Sequence, residues 1–142
     1  MAVAKKSTGA DPAAKPWVLV VDDEASVLLT YKMILEREGY QVVAASTSVE
    51  AKTAIGEHDF DLVMCDYSLE QQHTGFEVIA AARARRAEVP SLLLTGYATL
   101  ETADEAREGG IGVLYKPIDI TEFLNTTSAM LRNGYESRKA SE

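Results

Sequence analysis

The chain has 142 residues, a mass of 15.4 kDa, a formal net charge of −8 and a pI near 4.8. That length suits one packed domain, and the acidic balance excludes a surface built for nucleic acid or anionic lipid, which runs on excess Lys and Arg. The single cysteine, Cys65, excludes an internal disulfide framework and a Cys-only zinc site, and no apolar run approaches the roughly 20 residues of a membrane span.

Residues 1–16 are small, polar and broken by Pro12 and Pro16, and are predicted to form a flexible lead. Lys5 and Lys6 are followed by no apolar stretch, so no secretory pattern is present and a reducing, cytoplasmic home is expected. The first predicted strand is Trp17–Val21. A helix with the stripe Val27, Leu28, Tyr31, Ile34 and Leu35 follows, closed by Gly39. A second strand, Gln41–Ala45, leads into an Ala- and Glu-rich helix over 48–57. The third strand is expected at Asp61–Cys65. The next helix has Gly75 before it, Phe76, Ile79, Ala80 and Arg83 on one stripe, and Pro90 after it. Ser91–Thr95 and Ile111–Tyr115 are the fourth and fifth strands, around a helix over 98–109. Phe123, Leu124, Thr127, Met130 and Leu131 mark the last helix, with Asp119 and Glu122 as an acidic capping box. The domain spans 17–132, and 133–142 reads as a polar tail.

This alternation is an α/β fold of five β–α units. Its strands run parallel, with right-handed crossovers and helices on both faces. Ligands of such sheets bind at the carboxyl ends of the strands. Those ends carry Asp22 and Asp23 (first strand), Asp66 (third), Thr95 (fourth) and Lys116-Pro117 (fifth). Carboxylates a few ångströms apart repel one another or hold a hard cation. An open, oxygen-only site favours Mg²⁺, which shares its remaining positions with a phosphoryl group. Lys116 supplies a point charge and Thr95 a hydroxyl for phosphoryl oxygens. A carboxylate can itself be the nucleophile and form an aspartyl phosphate.

The segments VLVVDDE at 18–24, DLVMCD at 61–66, LLLTG at 92–96 and YKP at 115–117 resemble the receiver domain of two-component response regulators. Spacings of 43 residues from Asp23 to Asp66, 29 to Thr95 and 21 to Lys116 fit it. The resemblance implies a flavodoxin-like, doubly wound sheet of order 2-1-3-4-5. It implies Asp66 as phosphoacceptor, taking its phosphoryl group from a phosphohistidine of a sensor histidine kinase or a histidine phosphotransfer protein. Mg²⁺ would be held by Asp23, Asp66 and the Ser68 main-chain carbonyl, with Asp22 acting through water. Thr95 and Lys116 would bind phosphoryl oxygens, and the Lys116–Pro117 bond would be cis.

Three positions depart from the family pattern. The switch aromatic, three residues before the lysine, is replaced by Val113; Tyr115 shares its strand parity and is the substitute candidate. Proline four residues past the phosphoacceptor is replaced by Glu70, and Gly75 comes one residue later than in many members. The loop Glu70–His73 is therefore expected to be polar and mobile. Tyr97, two residues past Thr95, is expected to shield the acyl phosphate from water, with Ser68 also flanking the water's path.

Other residues carry blander expectations. Cys65 reads as a small buried hydrophobe, Trp17 as packing at the sheet's lower edge, and His58 as solvated. His73 has no ligand spacing. Arg83, Arg85 and Arg86 read as a solvated face. The few polar residues after the last helix predict a stand-alone receiver with output through a protein effector, although Gly75 and the run 95–98 also resemble receivers of hybrid kinases. Neither nucleic acid nor membrane is an expected partner, and the oligomeric state is undetermined by sequence. Two alternatives remain: a phosphorylation-independent interaction module, to which Val113 lends weight, and a haloacid-dehalogenase-like phosphatase, against which the early acidic pair and Tyr67-Ser68 speak.

Overall fold

A computed structural model describes residues 15–96 and 99–141, with side chains through 134. The chain alternates β1 (Trp17–Val21), α1 (Ala25–Arg37), β2 (Gln41–Ala45), α2 (Ser48–Glu57), β3 (Leu62–Asp66), α3 (Gly75–Arg85), β4 (Ser91–Thr95), α4 (Leu100–Glu108), β5 (Gly112–Tyr115) and α5 (Ile120–Ser141). All strand pairs are parallel, in the order β2-β1-β3-β4-β5. Both the α/β architecture and the strand order agree with expectation.

The strands are apolar on both faces because both faces are covered. Val18, Val20, Leu62, Met64, Leu92 and Leu94 face α1 and α5, where they meet Leu28, Leu35 and Phe123. Leu19, Val21, Val63, Cys65 and Leu93 face α2 and α3, through Ala51, Ile55, Val78, Ile79 and Ala82. Gly39 ends α1 at φ +95°, with its N–H on the Glu36 carbonyl and the Tyr40 N–H on the Leu35 carbonyl. That left-handed turn is open to glycine without steric cost. The Asp119 carboxylate accepts the Glu122 N–H at 3.0 Å and starts α5.

Several local expectations are corrected. Strand β3 starts one residue late, because the Asp61 carboxylate turns back to accept the Trp17 N–H at 2.8 Å. The buried stripe of α3 is Val78, Ile79 and Ala82, while Ala80 is exposed. His58 is half-buried rather than simply solvated: its ring stacks on Trp17 at 5.2 Å and lies 5.6 Å from Phe60. The three arginines are tethers. Arg83 donates to the Gly109 carbonyl and, at 3.3 Å, to that of Gly110. Arg85 pairs with Asp59 and the Ile55 carbonyl, both at 2.8 Å, and Arg86 reaches the Phe60 carbonyl. Helix α5 continues to Ser141, into the stretch read as a tail. The expected lead, 1–16, lies outside the described residues except for Lys15 and Pro16. Among the described residues no helix is long and apolar enough to cross a membrane.

Candidate functional site

Strands β1, β3, β4 and β5 are neighbours, so their carboxyl ends bring the predicted residues to one edge. Asp22 follows β1 and is fully buried. Its Oδ1 accepts the Glu24 N–H at 2.9 Å, and its Oδ2 accepts from Lys116 Nζ at 3.0 Å. Asp23 is exposed at the mouth. Asp66, the last residue of β3, is 8% exposed, and its Oδ1 lies 3.4 Å from Lys116 Nζ. Thr95, buried at the end of β4, accepts the Lys116 N–H on its carbonyl at 2.7 Å. Beyond Lys116 the peptide bond to Pro117 is cis, as expected.

One carboxylate oxygen from each of Asp22, Asp23 and Asp66 lies within 4.8 Å of the others. Burial pushes the Asp66 carboxyl up to about 6; Lys116 opposes this, while Asp22 and Asp23 add to it. Burial pulls the Lys116 ammonium down, but its hydrogen bond to Asp22 and the charges of Asp66 and Asp22 outweigh that and hold it above the ordinary lysine range. One ammonium, paired with Asp22 and Asp66, thus serves a cluster of three carboxylates. Two negative charges stay uncompensated, all donors are oxygen, and one side is open through Asp23. That donor set fits a divalent hard cation such as Mg²⁺.

The remaining candidates divide. Ser68 is exposed on the loop that leaves Asp66, and pairs in an isolated bridge with Thr74. Val113 packs against the core on the α2–α3 face, whereas Tyr115, the register partner of Thr95, is 55% exposed. Tyr97 lies outside the described residues. Cys65 is buried, and burial followed by the Asp66 and Asp22 charges pushes its thiol well up, which keeps it an unreactive core residue. His73 Nδ1 lies 2.8 Å from the Glu77 carboxylate and is not one of the clustered ligands.

Two features escaped the sequence reading. Tyr31 of α1 stacks on Phe123 at 5.0 Å; burial raises its hydroxyl, and the charges of Lys116, Asp22 and Asp66 all act on it. The loop expected to be mobile is held: Glu70 accepts the Ser48 N–H at 2.9 and 3.0 Å and the Ser48 hydroxyl at 2.6 Å. The hydroxyl contact holds the Glu70 carboxyl below its usual range. No local pattern marks a pair 22 residues apart. Gly75, by contrast, was legible as a glycine near the site. A Cβ there would meet the Asp66 carbonyl at 2.6 Å and Leu93 at 2.8 Å, so α3 can start against β3 only without a side chain.

A family model described as "Response regulator receiver domain" matches residues 18–128. The Klebsiella oxytoca transcriptional regulatory protein ZraR is 32% identical over 115 residues, which cover 80% of this chain and 26% of that protein. The alginate biosynthesis transcriptional regulatory protein AlgB of Pseudomonas aeruginosa is 33% identical over 101 residues, 70% of this chain and 22% of the relative. The chain thus spans about a quarter of the curated relatives it matches. Among solved structures, a CheY-like receiver domain protein from Methanospirillum hungatei superposes with a TM-score of 0.82 at 29% identity, covering 87% of this chain and 99% of that one. The Vibrio cholerae chemotaxis protein CheY4 gives a TM-score of 0.76 at 30% identity, covering 82% and 99%.

Proposed function

This chain belongs to the response regulator receiver domain family, and on that premise we propose that Asp66 is its phosphoacceptor. A carboxylate oxygen of Asp66 attacks phosphorus, and the bond from phosphorus to the donor breaks with its electron pair. The donor is a phosphohistidine of a sensor kinase or of a phosphotransfer protein. Asp66 must be ionised to attack, and Lys116 at 3.4 Å favours that form. Lys116 and the Thr95 hydroxyl then bind the phosphoryl oxygens, which hold the group in line and stabilise the charge that builds on it. Asp22, fully buried and bonded to Lys116, keeps the ammonium aimed at the pocket.

The residues that would hold Mg²⁺ are Asp22, Asp23, Asp66 and the Ser68 carbonyl. Bound there, the ion would offset the carboxylate repulsion and polarise the phosphoryl group. Phosphorylation adds about two negative charges next to Thr95 and Lys116. The domain is regulatory, and the added charge biases the α4–β5 region, which a downstream protein effector reads. Val113 and the outward Tyr115 mean that this coupling does not run through an aromatic at position 113.

The observation that carries this reading is the convergence of three carboxylate oxygens within 4.8 Å, two of the carboxylates paired with Lys116. Intact-mass measurement after incubation with acetyl phosphate and Mg²⁺ tests it. One added phosphoryl group is expected, absent when Mg²⁺ is chelated before the donor is added and absent in Asp66→Asn. A phosphoryl gain that survives Asp66→Asn, or none in the wild type, rejects it.

A further inference from the structure

The loop between β3 and α3 leaves the sheet at Asp66 and returns at Gly75, whose N–H donates to the Tyr67 carbonyl at 2.8 Å. Its limbs are drawn together by the Ser68–Thr74 bridge and by the Leu69 N–H on the His73 carbonyl at 2.9 Å. At its tip Gln71 and Gln72 have φ of 51° and 67°. Residues other than glycine hold that left-handed conformation only where the surroundings enforce it. Of residues 68–74 only Leu69 is buried. His73 and the Thr74 N–H, bonded to the Glu77 carboxylate at 2.8 and 3.2 Å, tie the returning limb to α3, and Glu70, bonded to the N–H and hydroxyl of Ser48, ties the tip to α2.

Ser48 is the buried first residue of α2, and its N–H is one of the donors that a helix leaves unpaired at its start. Helix α2 already has its own cap, since the Thr47 hydroxyl accepts the Glu50 N–H at 3.0 Å. The Glu70 bonds therefore do more for the loop than for the helix. Ionised and three times bonded, Glu70 pins the loop sideways to a buried, rigid point, two residues beyond Ser68.

We propose that Glu70 is a positioning residue for the metal site: its grip on α2 fixes the loop carrying Ser68, and so sets how tightly the pocket holds Mg²⁺. This rests on the receiver reading above, in which the Ser68 carbonyl completes the protein ligands. Groups that orient a ligand without touching the metal typically govern affinity by about 10–100-fold.

The test is calorimetric titration of the whole chain with Mg²⁺, paired with amide hydrogen exchange of the metal-free protein. Glu70→Ala is expected to weaken Mg²⁺ binding about tenfold and to speed exchange at Leu69 and His73. Glu70→Gln keeps one carbonyl acceptor and restores most of the affinity. Ser48→Ala, which removes only the hydroxyl bond, gives a smaller loss in the same direction and carries the test if Glu70→Ala does not fold. With acetyl phosphate as donor, the half-saturating Mg²⁺ concentration of Glu70→Ala rises while the rate at saturating Mg²⁺ matches wild type. Unchanged Mg²⁺ affinity in Glu70→Ala, or faster exchange confined to α2, overturns the proposal and leaves Glu70 as a helix cap. Failure of the wild type to bind Mg²⁺, or wild-type affinity in Asp23→Asn, instead overturns the receiver-site reading beneath it.

Discussion

The Asp66 carboxyl is caught between burial and the Asp22 and Asp23 charges on one side and Lys116 on the other, and burial prevails. With its folded value raised to about 6, Asp66 in the metal-free chain binds a proton at pH values where the unfolded chain has released it. The sign follows. The stability contributed by that proton is complete below the unfolded value near pH 4 and is lost as pH rises through about 6. In the presence of a chelator, the stability of wild type relative to Asp66→Asn should therefore fall by about 2 kcal/mol between pH 4.5 and 7.5. Urea unfolding at several pH values measures this. Using the difference between the two proteins removes the titrations they share. Parallel curves would show that the cluster does not perturb Asp66.

At the scale of elements, α4 is the helix least embedded in the core: Ala106 is its one buried residue. Its C-terminal end is held instead by the Arg83 guanidinium, which donates to the carbonyls of Gly109 and Gly110 from α3. A cation at a helix C-terminus also meets the favourable end of the backbone dipole. Arg83→Ala should cost about 1–2 kcal/mol, with faster amide exchange across 105–111 and little change in β3 or α1. Global destabilisation with no local loosening of α4 would contradict this. The contrast with α1 explains what sequence can and cannot reveal. The Leu28–Leu35 stripe, the Gly39 stop and the Asp119 cap are local patterns, and each was readable. So were the strand ends that gather Asp22, Asp23, Asp66, Thr95 and Lys116, because parallel topology alone brings them together. The Glu70–Ser48 grip, the three arginine tethers and the His58 stack join residues distant in sequence or turned toward an unforeseen neighbour. Side chains such as Arg83 read as solvent-facing because charge, without its partner in view, points to water. The α3 stripe was misplaced for a related reason. Phe76 lies against Tyr67, ring centroids 5.8 Å apart, at the rim of the core, while Val78 and Ala82 take its centre.

For the molecule as a whole, the sheet concentrates its repulsion at one edge and its apolar packing everywhere else. The central strands β1 and β3 end in the acidic cluster, so that edge cannot relax by fraying without uncovering Val21 and Cys65, both fully buried. The metal-free fold must therefore hold the repulsion in place, and a divalent cation that binds only the folded state relieves it. Linkage makes this measurable: at a free Mg²⁺ concentration 100 times the dissociation constant, stability should rise by about 2.7 kcal/mol and the melting temperature by roughly 5–10 °C. Monovalent salt at equal ionic strength should give a smaller shift, because screening acts on the exposed Asp23 more than on the buried Asp22. Asp23→Asn should lose most of the Mg²⁺-specific shift while melting no lower than wild type in chelator, since it removes one of the mutually repelling charges at a solvent-exposed position. A Mg²⁺ shift no larger than the monovalent one would mean that the three carboxylates tolerate one another without an ion, with Lys116 alone sufficient to balance them.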